Sequence, residues 1–368
     1  MNLDSLREQL DALDHQLIEI AAQRQRLSTE IARIKRERRL PTRDFSRERE
    51  VILRGREEAA RLGVSPELAE ALLRPLIHAS LATQEQARIA AQGQGTGKRA
   101  LVIGGKGKMG GWFVEFLASQ GYAVEIADPA GPVKGFVHRA DWQGDALDQD
   151  LIILATPLGA TVEVLQQLAR RRPPGLVFDI GSLKTPLRAG LVDLVRAGCE
   201  VTSIHPMFGP DTDMLSGRHV IFIDLGSPKA LSAARELFAP TMVEQVVMSL
   251  DDHDRLIAYV LGLSHALNIA FFTALAESGE AVPQLARLSS TTFDAQLDVA
   301  TRVAAESPSL YFEIQSLNQY GGESLAALEA AVARLSRIVT ARDEAEFVSL
   351  MMRGKAYLDG RGTARPES

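Results

Sequence analysis

The first helical stretch of the sequence carries a cation where a buried helix face would carry leucine. Apolar residues recur there every three or four positions, at Leu3, Leu6, Leu10, Leu13, Leu17, Ile20, Leu27, Ile31 and Ile34. This spacing is typical of one buried helical stripe. Arg24 occupies the next stripe position after Ile20. Because a guanidinium buried without a partner is very costly, the pattern predicts that Arg24 meets an anion.

Lys35 lies on the same predicted helix face as Arg24. The separation is almost a whole number of turns, which places the two cations about 16 Å apart along the axis, with Ser28 between them. Two long side chains can close on a small molecule across that distance. Arg7 lies about 25 Å from Arg24 on one straight helix, so it can reach the same small ligand only from an antiparallel second chain.

The remaining polar residues of this region complete a pocket without an activated nucleophile. They are Arg43, Asp44, Arg47 and Glu48 in RDFSRERE, and Ser80 and Gln84, one turn apart on a later helix. Such a set can bind a small dianion and act by positioning and electrostatic stabilisation. The alternative interpretation is a solvated arginine-rich face, on which a single arginine sets helix register or reaches outwards.

Residues 1 to about 90 resemble the all-helical chorismate mutase family. The matching stretches are LREQLDALD, QRQRL, RIK, RDFSRERE and SLATQ. The resemblance implies substrate contacts for eight residues: Arg7, Arg24, Lys35, Asp44, Arg47, Glu48, Ser80 and Gln84. By that analogy the arginines bind the two substrate carboxylates, with Arg7 supplied by a second chain. Lys35 and Gln84 hydrogen-bond the ether oxygen, and the other three hold the hydroxyl and position their neighbours. The implied reaction is the Claisen rearrangement of chorismate to prephenate, which needs no proton transfer.

A glycine-rich turn downstream predicts a dinucleotide site. The strand ALVI is followed by GGKGKMGG, which contains G-x-G-x-x-G, and Asp128 closes the next strand, VEIAD. A strand before the glycines, a helix after them and an acid at the second strand end are together more specific than glycines alone. The residues expected to bind the cofactor are Gly105, Gly107, Lys108, Met109, Gly110, Asp128 and, from a later loop, Ser182. The alternative is a turn that needs glycine only for tight packing.

Two polar clusters follow later strands, where ligands of an open parallel sheet bind. DIGSLK places Asp179, Ser182 and Lys184 after one strand, and SIHPMFGPD places His205 at the end of the next. Histidine is the natural proton acceptor near neutral pH. A histidine at a strand end can also be a structural hydrogen-bonding residue, and the residues alone leave both interpretations open.

GSLK and HPMFGPD resemble the prephenate dehydrogenase family, and the similarity extends from about residue 99 to 340. The resemblance implies that His205 takes the proton of the ring hydroxyl while the nicotinamide of NAD takes the hydride from the same carbon. The ring carboxylate then leaves as carbon dioxide, giving 4-hydroxyphenylpyruvate. Ser182 is implied to bridge substrate and nicotinamide, Arg302 to bind the substrate and His265 to line its pocket. Some relatives carry a second arginine where this chain has Asp294.

The elements that must position these residues fall into three segments of a chain of 368 residues. We predict an all-α three-helix domain over residues 1–91, a linker over 92–98, a Rossmann-type α/β domain with a mostly parallel sheet over 99–250, and an all-α substrate-binding and dimerisation domain over 251–360. VIFID and EQVVMS are expected to extend the sheet. The first helix, predicted from Leu3 to Arg38, is too long for an isolated domain and is expected to pack on another chain.

Composition narrows the class of protein. A net charge of −6 argues against nucleic acid as a partner, even for the basic stretch Arg33 to Arg39. The single cysteine, Cys199, allows no intrachain disulfide and fits a reducing cytoplasm. The N-terminus does not read as a signal peptide, and no apolar run is expected to reach the length of a membrane span. No metal site is predicted.

These patterns lead to one interpretation and two alternatives. The interpretation is a cytoplasmic homodimer that rearranges chorismate to prephenate and oxidises prephenate with NAD in tyrosine biosynthesis, with tyrosine as a possible feedback ligand near His265 and Arg302. One alternative keeps the dehydrogenase but makes the helical head a catalytically silent regulatory or dimerisation module. The other replaces prephenate by arogenate, in which an amine takes the place of the side-chain keto group.

Asp128 generates a prediction about cofactor choice. Its carboxylate repels a 2′-phosphate and no arginine follows it closely, so we expect a higher kcat/KM with NAD than with NADP. The ratio of the two values, measured with saturating prephenate, tests this. A preference for NADP would show that Asp128 does not select the ribose.

Overall fold

The structure is a computed structural model that describes residues 2–144 and 146–360. The last residues of the sequence, RGTARPES, are predicted from their position at the terminus to fray, and they lie outside this range. Three helices open the chain: α1 (Leu3–Glu37), α2 (Phe45–Arg61) and α3 (Pro66–Gln92). Side chains cap each of them, with Asn2, Asp44 and Ser65 accepting hydrogen bonds from backbone N–H groups of the first turns. The cap at Asn2 places the start of α1 at Leu3, as the sequence predicts.

The leucine stripe of α1, predicted as a buried seam that includes Arg24, is exposed within one chain, so only a second chain could bury it. Leu10, Leu17 and Leu27 are 60%, 56% and 66% exposed. The face of α1 that packs on α3 instead contains Ser28 and Ala32, which are 4% and 3% exposed. This face lies about a quarter of a turn from the stripe, and Arg24 belongs to it. The small side chains on this face explain the offset, because they let α3 approach closely.

A single eight-stranded sheet follows. Its strands are β1 (Arg99–Ile103), β2 (Ala123–Ala127), β3 (Val137–His138), β4 (Leu151–Leu154), β5 (Leu176–Asp179), β6 (Val201–Pro206), β7 (His219–Ile223) and β8 (Glu244–Met248). Their order is β3-β2-β1-β4-β5-β6-β7-β8, and every neighbouring pair is parallel except β6 with β7. The carboxyl ends of β1, β2, β4, β5 and β6 therefore share one edge, where the predicted cofactor and proton-transfer residues lie.

Helices cover both faces of this sheet. They are α4 (Lys108–Ser119), α5 (Leu158–Arg171), α6 (Arg188–Arg196) and α7 (Pro228–Glu236), with a 3₁₀ turn at Thr185–Leu187. Two apolar clusters form the core, one on each face, and strands β1 and β4 contribute alternate residues to both. Continuous apolar runs such as LIIL are typical of strands buried on both sides.

The rest of the chain is helical. It contains α8 (Leu250–Ile257), a π-helical turn (Ala258–Leu263), α9 (Ser264–Glu277), α10 (Val282–Arg287), α11 (Thr291–Ala304), α12 (Pro308–Ser316), α13 (Gly321–Ala341) and α14 (Glu344–Asp359). The predicted fold class is thus confirmed: a helical head, a Rossmann-type domain with a mostly parallel sheet, and a helical C-terminal region.

The continuous helix from Leu250 to Glu277 is long and apolar enough to cross a membrane by length and composition. The prediction that no apolar segment reaches that length is wrong for this helix. Its first turns nevertheless carry His253 and Asp254, which are fully buried against the Rossmann-type domain. Because these polar residues are bonded into the neighbouring domain, the helix belongs to the folded globule as its connecting element.

The glycine turn gives a prediction about stability. A Cβ on Gly110 would lie 2.1 Å from the carbonyl oxygen of Gly104, whereas a Cβ on Gly159, in the first turn of α5, would meet nothing within 4 Å. We expect Gly110→Ala to lower the free energy of unfolding by about 1–3 kcal/mol through overpacking. Gly159→Ala should leave it unchanged or raise it by up to about 1 kcal/mol. Denaturant titration of both variants tests this, and equal stabilities would contradict the close approach.

Candidate active sites

A hydrogen-bond network joins α1 to α3 at the predicted mutase residues. The Arg24 guanidinium donates to the Ser80 hydroxyl at 2.5 Å and to the backbone oxygen of Leu76. Ser28 donates to the backbone oxygen of Ser80 at 3.2 Å, and the amide of Gln84 donates to Ser28 at 3.0 Å. Burial lowers the pKa of Arg24. The structure therefore brings Arg24, Ser80 and Gln84 onto one half-buried face.

A cavity of about 560 Å³ opens beside this face, between the ends of α1 and α3. Lys35 and Gln84 both line it, together with three arginines, Arg36, Arg39 and Arg88, and no carboxylate residue lines it. The Lys35 ammonium donates to the backbone oxygen of Thr42 at 2.7 Å. Within the described residues, Arg36 Nη1 and Gln84 Oε1 are buried and have no hydrogen-bond partner. The cavity therefore favours a small anion.

The first turn of α2 adds two carboxylates. Asp44 accepts from the Ser46 hydroxyl at 2.6 Å and from the Arg47 N–H at 3.0 Å. These two hydrogen bonds, with a smaller contribution from the charge of Lys35, lower the pKa of Asp44. Glu48 is held by Arg43 through two hydrogen bonds of 2.8 and 3.0 Å.

Two predicted mutase residues lie apart from this group. Arg47 is exposed and pairs with Glu50 at 2.6 Å. Arg7 stands near the opposite end of α1, where its side chain is 65% exposed and only 3.5 Å from Asp4. At about 1.5 Å of rise per residue, one α1 helix keeps Arg7 far from Arg24. One chain therefore brings Arg24, Lys35, Ser80 and Gln84 together but leaves Arg7 and Arg47 apart from them.

The glycine turn has the geometry of a phosphate cradle. Helix α4 begins at Lys108, directly after Gly107, and no side chain caps its first N–H groups. A Cβ on Gly107 would have its nearest described protein contact at 3.3 Å, whereas a Cβ on Gly105 would lie 2.7 Å from the side chain of Ile126. Gly105 and Gly110 are thus required for packing. Gly107 leaves an open approach to uncapped N–H groups, which fits a pyrophosphate.

Asp128 lies at the end of β2 beside this turn. One carboxylate oxygen accepts from the Lys106 N–H at 3.0 Å and the other from the Ala130 N–H at 2.9 Å. Each oxygen keeps a free lone pair for a ribose hydroxyl. Met109, in the first turn of α4, is partly buried and packs on the core beneath the turn. The glycine turn and Asp128 therefore lie together at the carboxyl ends of β1 and β2.

His205 is part of a buried chain of three polar side chains. Its Nδ1 lies 2.9 Å from Nε2 of His253, and Nδ1 of His253 lies 2.6 Å from a carboxylate oxygen of Asp254. His253 and Asp254 are fully buried, and His205 is 4% exposed. Burial, followed by the charges of His253 and Lys184, lowers the pKa of His205 well below its ordinary value. His205 is therefore neutral at neutral pH.

The hydrogen bonds among His205, His253 and Asp254 determine which ring nitrogen of His205 carries no proton. The Asp254 carboxylate accepts, so Nδ1 of His253 must carry the proton and its Nε2 must accept. Nδ1 of His205 then donates to His253, and its Nε2 is left unprotonated. That arrangement is the one a proton acceptor needs, with the second ring and the carboxylate acting as the orienting groups.

Asp254 is also bonded to the loop that follows β5. The backbone N–H groups of Lys184 and Thr185 and the Thr185 hydroxyl all donate to its carboxylate. Burial alone would raise the pKa of Asp254, but the hydrogen bonds from His253 and this loop outweigh it and lower the pKa. Lys184, which the sequence groups with Ser182, is fully buried and pairs with Asp179 at 2.8 Å, so it lies inside the fold.

The other predicted dehydrogenase residues, Ser182, His265 and Arg302, form no hydrogen bond with His205, His253 or Asp254 within the described residues. Ser182 is partly exposed on the same loop. His265 packs against Tyr311 with ring centroids 4.2 Å apart, and burial lowers its pKa to about 4. Arg302 is exposed on the last turn of α11, and Glu306, just beyond, lies 4.0 Å from the Lys108 ammonium of the glycine turn. The segment just after α11 thus approaches the glycine turn.

Sequence reasoning missed His253 and Asp254. They belong to DDHD, residues 251–254, at the start of a helix, whereas the predicted polar clusters all follow strands. A histidine next to an aspartate in the first turns of a helix is a weak signal. The π-helical turn that follows is a stronger structural one, because such turns often mark functional sites. Among the described residues, no group of three or more histidines, cysteines or acids has metal-site geometry.

Three parts of the chain match families of known proteins. Residues 6–85 match the family described as chorismate mutase type II. Residues 134–247 match the nucleotide-binding domain of prephenate dehydrogenase, and residues 249–353 match its dimerization domain. A T-protein of Enterobacter agglomerans is 30% identical over 316 residues, covering 85% of this chain and 81% of that protein. The chain belongs to the T-protein family.

Two further comparisons extend this result. A second T-protein, from Haemophilus influenzae, is 27% identical and covers 85% of this chain and 80% of its own. The fold is also like that of a prephenate dehydrogenase from A. aeolicus, which was crystallised with hydroxyphenyl propionate and NAD+. The TM-score is 0.58 and the sequences are 20% identical, with 72% of this chain and 98% of that chain covered. As a T-protein with both kinds of domain, the chain is a bifunctional enzyme, chorismate mutase and prephenate dehydrogenase, of tyrosine biosynthesis.

The histidine pair gives a prediction with a matched control. Leucine and glutamine have similar volumes, but only glutamine offers an amide oxygen near the position of His253 Nε2. We expect His253→Leu to lower the dehydrogenase kcat roughly 10- to 100-fold with unchanged NAD affinity, and His253→Gln to retain most of it.

The pH profile separates this effect from a loss of packing. Because the pKa of His205 is depressed, the wild-type protein should keep its kcat/KM as pH falls to 6.5 and lose it only well below that. His253 contributes to the depression, so the acid limb of His253→Leu should move upwards. Equal kcat values for the two variants, or an acid limb of the pH profile that does not move in His253→Leu, would contradict the role of His253 in orienting His205.

Proposed function

We propose that this chain converts chorismate to prephenate in a helical pocket and oxidises prephenate with His205 as the proton acceptor. The family and both activities are established by the comparisons; the assignment of residues is the proposal. The observation that supports it most directly is the alignment of His205, His253 and Asp254, which leaves His205 Nε2 unprotonated at the carboxyl end of β6.

NAD, the cofactor of the dehydrogenase, supplies the hydride acceptor when it is bound. Gly107 and the uncapped start of α4 would hold its pyrophosphate and Asp128 its ribose, and Ser182 is proposed to contact both substrate and nicotinamide. His205 Nε2 accepts the proton of the ring hydroxyl as the carbonyl forms. Loss of the ring carboxylate as carbon dioxide then creates an aromatic ring, which drives the step. His253 accepts the hydrogen bond from Nδ1 of His205 and so keeps Nε2 free to take the proton, and Asp254 fixes the tautomer of His253.

The mutase reaction needs no proton acceptor, and its pocket offers none. Lys35 and Gln84 line the cavity where the ether oxygen of chorismate would sit, and Arg24 is held beside them by Ser80. The cations stabilise negative charge as it grows on that oxygen, and the pocket holds the substrate in its reactive shape. Asp44 and Glu48 receive the hydroxyl, and Arg47 turns from Glu50 to a carboxylate.

The proposal includes a homodimer in the cytoplasm. Arg7 is too far from Arg24 within one chain, and the exposed leucine stripe of α1 offers a surface that an antiparallel copy can cover. The relatives are biosynthetic enzymes, which makes the chain a soluble protein. The domain bounds 1–91, 99–250 and 251–360 remain our division. Tyrosine, which shares its side-chain carboxylate with the product, is proposed to bind near His265 and Arg302.

Prephenate is the proposed substrate of the second site in preference to arogenate. Asp294, which stands where some relatives have an arginine, accepts a hydrogen bond from Ser289 in the first turn of α11. This local bond gives Asp294 a structural role and leaves substrate binding to Arg302. Offering both substrates to the purified protein compares their kcat/KM values directly.

Purified protein given chorismate tests the two activities separately. We expect prephenate without NAD and 4-hydroxyphenylpyruvate with NAD. Lys35→Ala should lower chorismate turnover at least about 100-fold, since it removes an electrostatic contact to the breaking bond, and should leave oxidation of added prephenate within about twofold of wild type. Chorismate turnover that survives Lys35→Ala would remove Lys35 from the mutase site, and a silent helical head would show no turnover in the wild type.

A further inference from the structure

The segment that follows His205 is bound to the mutase domain. Residues 207–218 connect β6 to β7, and in their middle Met214 packs against Leu81 and Ala82 of α3. The next residue, Leu215, is 3% exposed, and its N–H donates to the Glu85 carboxylate of α3 at 2.7 Å. The segment therefore begins beside the proposed base and lies, a few residues later, in the interface between the two enzymes.

Ser216 extends this interface to a residue of the mutase site. Its hydroxyl accepts a hydrogen bond of 2.6 Å from Nη1 of Arg43. The other two nitrogens of Arg43 bind both oxygens of Glu48, at 2.8 and 3.0 Å. The guanidinium carbon also lies 4.2 Å from the centroid of the Phe45 ring. One guanidinium thus joins a serine of the dehydrogenase domain to a carboxylate of the mutase domain.

This arrangement fixes the direction in which Glu48 can accept. A bidentate guanidinium sets the plane of the carboxylate and occupies one lone pair on each oxygen, so the remaining lone pairs point in defined directions. Arg43 is only partly buried, with 26% of its side chain exposed, and a long side chain there has other rotamers. The Ser216 hydroxyl selects the rotamer that faces Glu48.

We propose that Arg43 and Ser216 are positioning residues for the mutase reaction, so that the loop after His205 orients Glu48 in the other active site. The inference rests on the proposed role of Glu48 in holding the chorismate hydroxyl. It makes rearrangement of chorismate depend on a side chain of the dehydrogenase domain.

The interface provides a matched control. His78 of α3 and Asp213, three residues before Ser216, approach to 3.1 Å across the same junction. Their side chains are 49% and 61% exposed, and among the described residues no hydrogen bond or ion pair joins either of them to Glu48. Loss of this pair tests the junction as such, while loss of Ser216 tests the connection to Glu48.

The experiment measures both activities of the full chain for Ser216→Ala, Ser216→Thr and Asp213→Asn. We expect Ser216→Ala to lower kcat/KM for chorismate about fivefold, the size expected for one lost hydrogen bond. Ser216→Thr keeps the hydroxyl and should restore most of it, and Asp213→Asn should match wild type. Oxidation of added prephenate should stay unchanged in all three. The inference is overturned if Ser216→Ala keeps the wild-type kcat/KM for chorismate, or if Asp213→Asn lowers it by the same factor.

A double-mutant cycle identifies the route of the effect. In a Glu48→Gln background, Ser216→Ala should cause no further loss, because the group that it positions has already been altered. A full additional fivefold loss there means that Ser216 does not act through Glu48 and overturns the inference while leaving the proposed function intact. A wild-type chain that fails to rearrange chorismate overturns both, and the first measurement of the series reveals it.

Discussion

The buried carboxylate of Asp254 is the constraint on which the dehydrogenase site depends. A carboxylate removed from water must recover its lost hydration through hydrogen bonds, and the surrounding structure supplies them from two directions. The loop after β5 donates through Lys184 and Thr185, and His253 donates from the preceding position of α8. Moving any one of these donors leaves a charge unsatisfied. The fold therefore holds the orientation of His253, and through it the protonation of His205, with the same interactions that keep Asp254 buried.

The Lys184 ammonium is a second buried charge near the site, and it too is held by several hydrogen-bond partners. It is fully buried and donates to Asp179, to the backbone oxygen of Gly181 and to the backbone oxygen of Ile204. These acceptors belong to the end of β5, its loop and β6, so one cation ties the strand that carries His205 to the loop that carries Ser182. A buried ion pair seldom adds net stability compared with apolar packing. Its effect here is geometric, because it fixes the separation of two groups that must meet one substrate.

Hydrophobic periodicity and short motifs were enough to predict the fold class and most element bounds. Runs such as LIIL can only be strands buried on two faces, and GGKGKMGG between a strand and a helix has few other solutions. The depth of Arg24 was misjudged for a physical reason. A stripe of leucines looks the same whether its own chain or another covers it, and α3 instead packs on the small residues Ser28 and Ala32. His253 escaped detection because its significance comes only from its distance to His205, which is remote in sequence.

The two sites differ in how much of each is built by one chain. The dehydrogenase base, its orienting histidine and the carboxylate behind them are all in one chain and all buried, so tertiary packing alone sets their geometry. The helical pocket of one chain instead keeps cationic and amide atoms without partners and an apolar stripe in contact with water. Positive charges lining a cavity repel each other until an anion arrives, which opposes tight packing of the empty pocket. A site that works by charge must therefore be supported from outside its own three helices, and the loop that holds Arg43 on Glu48 is one such support.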